Sequence, residues 1–312
     1  MPTPSRQFHK TVIVTGATAT GKTRMAVALV HRFTGEIISA DSRQVYRGMD
    51  IGTGKDLDEY VIDGKAIPYH LIDCREPGDE FNLCLFVKEA WKAYDDILAR
   101  GALPVICGGS PLYIKALLDG YNMEGGEPDP AFRQAAESLS MEELTDMLRK
   151  EASDELFART DFTQKRRVIR AIEIARTGTA ANTGRRLENP LILSPLFPRS
   201  VIHERIRKRL DERLANGMVE EVAALHDRLG LPWEKLDWFG LEYRYVSKYL
   251  SGAITYDEMH DTLLAHIRQF CKRQEIWFRR MEREGKVIHH IPEGNLDEAF
   301  AITKRYLDES AK

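Results

Sequence analysis

The chain has few cysteines and no long apolar run, and both absences narrow the classes of protein to which it can belong. Only 4 of its 312 residues are cysteine, and none forms a C-x-x-C pair, so the sequence predicts neither a zinc site nor a disulfide framework. No apolar stretch approaches the roughly 20 residues that a membrane-spanning helix needs. Residues 1–10 lack the apolar centre of a secretory signal. We therefore expect a soluble protein in a reducing cytosol.

The chain also lacks a strong net charge, but its basic residues are unevenly distributed. The formal net charge is −3, which argues against a protein coated by nucleic acid. Two segments nevertheless concentrate lysine and arginine: Lys165–Arg170, which has no acidic residue, and Arg268–Arg280, which is interrupted only by Glu275. Taken alone, each cluster is more typical of a solvated helix surface than of a contact with a phosphate backbone.

A glycine-rich segment near the start of the chain is typical of a phosphate-binding loop. The pattern G-x-x-x-x-G-K-[ST] is matched by Gly16-Ala17-Thr18-Ala19-Thr20-Gly21-Lys22-Thr23. The β-branched run Thr11–Thr15 before it predicts a buried strand, and the apolar spacing in Arg24–Phe33 after it predicts a helix. In that context backbone N–H groups would hold a diphosphate, Lys22 would reach the outer phosphate and Thr23 would ligate Mg²⁺. The alternative is a glycine turn that only joins the strand to the helix.

An aspartate follows the second predicted strand. Glu36–Ala40 indicates that strand, and it leads into Asp41-Ser42-Arg43-Gln44-Val45-Tyr46. The carboxyl ends of parallel strands that flank a phosphate loop share one crevice, so Asp41 would lie beside the phosphates. There it could hold Mg²⁺ or act as a general base on a second substrate. A turn or N-cap aspartate is the structural alternative.

Strands and helices alternate as far as Gly120, and helices dominate afterwards. The pattern predicts a third strand at Tyr69–Asp73, a helix at Leu85–Arg100 and a fourth strand at Leu103–Cys107. This is the order of an α/β fold with a P-loop and a doubly wound parallel sheet. Breaker-rich stretches at 122–130 and 178–190 indicate a helical insertion domain at 121–200. Residues 1–120 and 201–312 would then form the catalytic core with a helical C-terminal extension.

Together these segments resemble the tRNA dimethylallyltransferase family, which prenylates the adenine beside the anticodon. The matching segments run in family order along nearly the whole chain; they are Gly16–Thr23, Asp41–Thr53, Gly108–Tyr113, Asp129–Arg133, Arg166–Glu173, Arg268–Gln274 and Trp277–Arg279. The resemblance implies transfer of a dimethylallyl group from dimethylallyl diphosphate to the exocyclic amine of that adenine, with release of pyrophosphate. It implies Mg²⁺ as the cofactor that neutralises charge on the leaving group.

The resemblance also implies roles for particular residues around the loop. Asp41 would be the base that removes a proton from the amine, and the loop Gly16–Thr23 would hold the diphosphate together with Arg205 and Arg209. From the residues alone, both arginines could equally form ion pairs with neighbouring acids such as Glu204, Asp211 or Glu212.

The implied partner is the anticodon stem-loop of tRNA, with the target adenine turned out of its stack. Contacts with the RNA are implied for Asp41, Ser42, Arg43, Gln44, Ser110, Arg133, Arg166, Arg167, Val168, Ile169, Arg170, Gly240, Lys272, Arg273, Gln274, Trp277 and Arg279. The helical insertion would act as a clamp, and we expect the chain to work as a monomer without contact with a membrane.

Three departures from the family pattern concern the acceptor side. Ser110 stands where threonine is usual and is followed by Pro111, and Arg43 stands where methionine is often found. Leu241 follows Gly240 where the family commonly has a tyrosine that helps to bind tRNA, although Tyr243 is near. These departures leave the recognition of the anticodon loop less defined than the reaction.

Three alternatives stay open at this stage. A prenyltransferase of free adenine nucleotide would share the loop and the aspartate, but it would not need the insertion or the basic C-terminal helix. A small-molecule P-loop kinase would need a lid with transfer arginines. A non-catalytic RNA-binding protein would not need an aspartate beside a phosphate loop.

Overall fold

A computed structural model describes residues 10–120, 129–177 and 184–309 of the chain. The chain divides into two compact units. The first, called here the sheet unit, consists of Met1–Leu118 and Leu187–Lys312, and the second, called here the helical unit, consists of Asp119–Arg186. No helix in the described ranges is both long and apolar enough to cross a membrane.

A six-stranded sheet with the order β5-β2-β6-β1-β7-β8 forms the centre of the sheet unit. All of its strand pairs are parallel. Its strands, together with a short antiparallel pair formed by β3 and β4, are β1 (Val12–Thr15), β2 (Gly35–Ser39), β3 (Val61–Ile62), β4 (Lys65–Ala66), β5 (Tyr69–His70), β6 (Leu103–Gly108), β7 (Leu191–Leu196) and β8 (Ile288–Pro292). Strand β1 lies between β6 and β7, with Val12 opposite Val105 and Leu191.

Helices connect the strands and form the whole of the described helical unit. They are α1 (Lys22–Phe33), α2 (Leu83–Ala99), α3 (Pro111–Asp119), α4 (Pro130–Glu137), α5 (Met141–Glu151), α6 (Asp154–Arg159), α7 (Lys165–Thr177), α8 (Arg199–Ala215), α9 (Met218–Asp227), α10 (Trp233–Trp238), α11 (Leu241–Leu250), α12 (Tyr256–Arg283) and α13 (Leu296–Asp308). A single 3₁₀ turn, Leu57–Tyr60, precedes β3.

The central strands β1, β2 and β6 are buried along their whole length, which explains why most of their residues are apolar. Alternate residues of β1 belong to different hydrophobic clusters: Ile13 lies in the cluster that contains residues of α2, and Val12 lies in the cluster that contains residues of α1. Strands buried on both faces cannot alternate between apolar and polar residues. The predicted doubly wound α/β fold is therefore confirmed.

Two boundaries differ by three or more residues from those predicted from the sequence. The third strand ends at His70 instead of Asp73, because Leu71 and Asp73 adopt positive φ angles of 63° and 52°, which no strand accommodates. Strand β7 pairs with β1 in the sheet, although the insertion was expected to extend to residue 200. The helical unit instead ends at Arg186.

The helical unit has its own small core. Leu144 and Leu148 of α5 are fully buried against Val168 and Ile172 of α7. Helix α5 begins with the capping box that its sequence indicates, in which Ser140 and Glu143 exchange hydrogen bonds. The capping box at Thr255 and Glu258 likewise begins α12.

Candidate active site

A cavity of about 800 Å³ lies at the carboxyl ends of β1, β2 and β6 in the sheet unit. Its floor is formed by the loops that follow these three strands, which contribute Thr18–Thr23, Asp41–Gln44 and Gly108–Ser110. Its walls come from α8, from the α10–α11 turn and from α12. The cavity therefore occupies the crevice where the sequence predicts the phosphate loop and Asp41 to meet.

The phosphate loop curls through three residues with positive φ. Gly16 and Gly21 have φ angles of 140° and 79°, and Ala19 has one of 62°. The Thr20 hydroxyl donates to the carbonyl oxygen of Ala17 at 2.8 Å and closes the curl. Gly21 is the N-cap of α1, and it supplies no side chain to the N–H groups of the first turn. Those N–H groups and the positive end of the helix dipole therefore stay available to an anion.

Two cations of the cavity have no acidic partner. Lys22 Nζ donates to the Ala17 carbonyl oxygen at 3.0 Å, and Arg209 Nη2 donates to Thr18 Oγ1 at 2.5 Å. Neither forms a salt bridge with any residue in the described ranges. Burial lowers the pKa of Lys22, and burial together with the nearby Arg213 lowers the pKa of Arg209 to about 10. Enclosed cations without a counter-charge are costly, so these residues favour an anionic ligand.

Arg205 also lines the cavity. Its guanidinium carbon lies 3.9 Å from the ring centroid of Phe197, a cation–π contact that holds the side chain without neutralising it. The sequence left open that the two arginines form ion pairs with neighbouring acids. Among the described residues, Arg205 and Arg209 form no such pair with Glu204, Asp211 or Glu212. Glu212 instead pairs with Lys208, and Asp211 pairs with His260.

Asp41 is fixed by a turn that engages only one of its carboxylate oxygens. Oδ1 accepts the backbone N–H of Arg43 at 2.8 Å and, more weakly, that of Gln44 at 3.4 Å. Oδ2 accepts no hydrogen bond from the residues that the structure describes. One oxygen therefore orients the group, and the other is free to accept a proton. The structural alternative, a turn aspartate, and the chemical role are compatible in this geometry.

The side chain of Gln274 joins α12 to two loops of the cavity floor. Its Oε1 accepts the N–H of Thr18 at 2.9 Å, and its Nε2 donates to the carbonyl oxygen of Gly109 at 2.6 Å. The residue is 4% exposed. A contact of Gln274 with RNA stays a prediction. Nothing in the local sequence signals this bridging role.

Two charged residues that the sequence reasoning missed, the buried Lys55 and the half-buried Glu221, hold the segment after Asp41. Lys55 is fully buried, and its ammonium donates to the Tyr46 carbonyl oxygen at 2.6 Å and pairs with Asp50 and Asp73. The Glu221 carboxylate accepts backbone N–H groups of residues 50, 51 and 52 at 2.7–3.0 Å. These charges fix the loop whose Gly54 carbonyl accepts Gln44 Nε2 at 2.9 Å, and so they position the cavity wall.

Tyr243 does not replace the missing tyrosine at position 241. It is 1% exposed, and its hydroxyl donates to Glu221 Oε1 at 2.6 Å. Leu241 lines the cavity, and Gly240 caps α11 with a φ angle of 135°. Tyr243 also lines the cavity, but its hydroxyl is already bonded to Glu221.

Two acidic side chains in the cavity were also missed. Glu59 and Glu242 line it together with the cations. Burial raises the pKa of both carboxyl groups, which favours their neutral forms in a site that attracts anions. Neither lies in a recognisable motif. Within the described residues, no group of three or more His, Cys, Asp or Glu side chains could hold a metal ion.

The basic helix α7 of the helical unit carries its arginines mostly in ion pairs. Glu173 is 3% exposed and accepts from Arg133 at 2.8 and 3.0 Å and from Arg170 at 3.0 Å. Arg167 pairs with Asp161. Arg166 is exposed and forms no salt bridge with a described residue. Of the remaining predicted contacts on this helix, Val168 and Ile169 are buried in the core of the unit.

The other basic stripe lies on α12 of the sheet unit. Lys272, Arg273 and Arg279 are exposed, and Trp277 is partly exposed. Arg279 lies 3.5 Å from Glu275, a surface pair of small energetic value. Phe270 and Gln274, on the same helix, line the cavity. The stripe is therefore continuous with the cavity wall.

Comparisons with known proteins agree with this site. The model of the IPP transferase family matches residues 44–281, and that of the isopentenyl transferase family matches residues 9–67. A "tRNA dimethylallyltransferase 2" of Citrifermentans bemidjiense is 47% identical over 95% of this chain and 94% of its own. A "tRNA dimethylallyltransferase 1" of Porphyromonas gingivalis is 46% identical over 90% of this chain and 93% of its own.

Solved structures give the same result. A full-length tRNA isopentenylpyrophosphate transferase from Bacillus halodurans is 30% identical and superposes with a TM-score of 0.69 over 97% of both chains. A eukaryotic dimethylallyltransferase solved acting on tRNA shares the fold, with a TM-score of 0.82 at 21% identity over 96% of this chain and 79% of its own. The chain therefore belongs to the tRNA dimethylallyltransferase family of prenyl-transferring enzymes.

Proposed function

We propose that this chain transfers a dimethylallyl group from dimethylallyl diphosphate to the exocyclic amine of the adenine beside the anticodon in tRNA, releasing pyrophosphate. The observation that carries the proposal is the joint placement, in one cavity, of cations without acidic partners and of a carboxylate with one free oxygen. The cations suit a diphosphate leaving group, and the carboxylate suits a proton that must leave an amine.

The donor would bind at the phosphate loop. The N–H groups at the start of α1, Lys22, Arg205 and Arg209 would take up its diphosphate. The hydroxyl of Thr23 lines the cavity at the position where such loops ligate Mg²⁺. Mg²⁺ is commonly held by substrate phosphates, water and few protein groups, so Thr23 and the donor's own diphosphate would hold it here. When bound, the ion would offset negative charge on the departing pyrophosphate.

The acceptor amine would react beside Asp41. Its lone pair is delocalised into the purine ring, so it attacks well only when the allylic carbon is held close and a base takes the proton. A C–N bond forms as the allylic C–O bond breaks, the electron pair of that bond leaves with pyrophosphate, and the amine proton passes to Oδ2 of Asp41. Oδ1 meanwhile keeps its bond to the Arg43 N–H and holds the carboxylate in place.

The acceptor would be a polynucleotide and not a free nucleotide. The cavity of about 800 Å³ has the size of a small-molecule site, so a tRNA adenine must leave its stack to enter it. The exposed cations of α12 continue outward from the cavity, and α7 adds a second basic surface. We infer that both contact the anticodon stem-loop and that the helical unit acts as the clamp. A monomeric state stays a prediction.

One assay separates this function from the alternatives. The purified chain is incubated with labelled dimethylallyl diphosphate and Mg²⁺, and with unmodified tRNA, AMP or ATP in separate reactions. We expect label on tRNA alone, at an adenine beside the anticodon, and no label on a tRNA in which that adenine is replaced. Chelation of the metal should stop transfer and added Mg²⁺ should restore it. Label on AMP alone, or ATP turnover without labelled tRNA, would overturn the proposal.

A further inference from the structure

An exposed tryptophan stands at the end of α10, beside the cavity. Trp238 is 45% exposed, whereas the next residue, Phe239, is fully buried and packs edge-on against it at 5.6 Å. Phe239 and Gly240 line the cavity directly. The indole is therefore anchored on the cavity wall, yet close to half of the residue faces solvent.

Two cations flank this indole. The guanidinium carbon of Arg43 lies 4.5 Å from the ring centroid, and Arg43 Nη2 donates to the carbonyl oxygen of Trp238 at 2.8 Å. Lys235 Nζ lies 5.3 Å from the same centroid. An aromatic ring combined with cations is the arrangement that proteins use to stack unpaired bases while attracting their phosphates.

Arg43 also connects the indole to the reacting centre. Its backbone N–H donates to Asp41 Oδ1 at 2.8 Å, so one residue holds the carboxylate with its main chain and Trp238 with its side chain. A single residue, Arg43, therefore links a group that is bound on the indole to the base, Asp41. When an adenine is turned out of the anticodon loop, its neighbours lose a stacking partner and need another.

We propose that Trp238, held by Arg43, is a stacking platform for a nucleobase of the anticodon loop next to the adenine that reacts. This inference rests on the proposed function and adds a specificity-determining residue on the acceptor side. The occupant is an unpaired base of the RNA and not the prenyl donor, because the cations of the donor site lie on the phosphate loop and α8.

The test compares Trp238→Ala, the conservative Trp238→Phe and a control, Tyr256→Ala. Tyr256 is an aromatic residue of matched exposure, at 44%, and it does not line the cavity. KM is measured separately for an anticodon stem-loop and for dimethylallyl diphosphate. We expect Trp238→Ala to raise KM for the stem-loop about tenfold, since stacking on one ring is worth roughly 1–3 kcal/mol. KM for the donor should not change, Trp238→Phe should recover most of the loss, and Tyr256→Ala should have no effect.

A stem-loop series identifies the base. In each member, one loop base beside the target adenine is replaced by an abasic residue, and we expect the penalty of Trp238→Ala to disappear for one member only. Fluorescence gives a readout besides activity: stem-loop binding should quench the wild-type protein more than Trp238→Phe. That comparison also serves if Trp238→Ala does not fold.

The outcomes separate the two hypotheses. If the wild-type protein labels the stem-loop but Trp238→Ala has an unchanged KM for it, the platform is disproved and the proposed function stands. A rise in the donor KM instead of the RNA KM would also disprove the platform. If the wild-type protein transfers no label to any RNA, the proposed function fails, whatever the fluorescence shows.

Discussion

Two cations of the cavity, Lys22 and Arg209, differ from three arginines of the helical unit in what faces them. Among the described residues, Lys22 and Arg209 bond only to a carbonyl and a hydroxyl oxygen of the phosphate loop. Arg133 and Arg170 share the buried Glu173, and Arg167 pairs with Asp161. A cation without a carboxylate is ready for an anion, whereas a paired one must first give up a partner. The difference suggests a fixed donor site and an RNA surface on which phosphates compete with the protein's own acids.

The largest effect is expected for Asp41, because only one oxygen of its carboxylate accepts hydrogen bonds from the described residues. Asp41→Asn keeps an oxygen for the Arg43 N–H but removes the base. We expect kcat to fall by about two to four orders of magnitude, with an unchanged dissociation constant for the stem-loop. Single-turnover transfer and equilibrium binding measure the two effects. Unaltered turnover would make Asp41 a structural turn residue.

Lys22→Met tests the unpaired cations directly. Loss of a charge-assisted hydrogen bond should raise the dissociation constant of inorganic pyrophosphate about 10- to 100-fold, as measured by calorimetry. The matched control is Lys115→Met, because Lys115 already pairs with Glu284 at 2.5 Å and does not line the cavity. Equal losses in the two variants would contradict the distinction between free and paired cations.

Three variants in the helical unit test whether the basic surface of α7 binds RNA. Arg166→Ala should weaken stem-loop binding and reduce the slope of log K against log salt by about 0.7 to 0.9, the value for one lost phosphate contact. Arg167→Ala should cost less, because Asp161 already neutralises that arginine. Asp161→Asn should strengthen stem-loop binding, because it frees the guanidinium of Arg167. If the salt slope is the same in all three variants as in the wild type, α7 is a solvated surface that does not contact the RNA.

The smallest effect is expected at Glu242. Burial raises the pKa of this carboxyl group, so it is neutral at low pH and becomes charged as the pH rises through that raised value. Only the charged form repels the donor. At high pH, Glu242→Gln should therefore bind pyrophosphate about three- to tenfold more tightly than the wild type does, and this difference should shrink as the pH falls. Because pyrophosphate titrates identically in both experiments, the ratio of the two dissociation constants isolates Glu242.

The sequence predicts the parts of the site that depend on neighbouring residues. The phosphate loop is local, since its glycines, its strand and its helix follow one another along the chain. The position of Asp41 follows from the strand before it and from the rule that parallel strands end at one edge. The third strand was predicted, but its early end at His70 was not, because no short sequence pattern signals the positive φ angles of Leu71 and Asp73.

Contacts between distant residues could not be predicted. Gln274 and Thr18 are 256 positions apart, and Glu221 reaches backbone groups about 170 positions away. Lys55 resembles a surface lysine until the fold surrounds it with a carbonyl and two carboxylates. Such pairings are decided by tertiary packing, which one sequence does not encode in any short pattern. The contacts with RNA stay predictions.

The two hydrogen bonds of Gln274 have one consequence for how each substrate affects the binding of the other. It occupies the inner side of α12, while Lys272 and Arg273 project from the same turn toward solvent. A helix that shifts when a polyanion settles on its outside cannot keep both amide bonds, to Thr18 and to Gly109, at their present lengths. Binding of one substrate would thus change the affinity of the site for the other. Affinities for the two should be coupled, and each should change when the other is saturating.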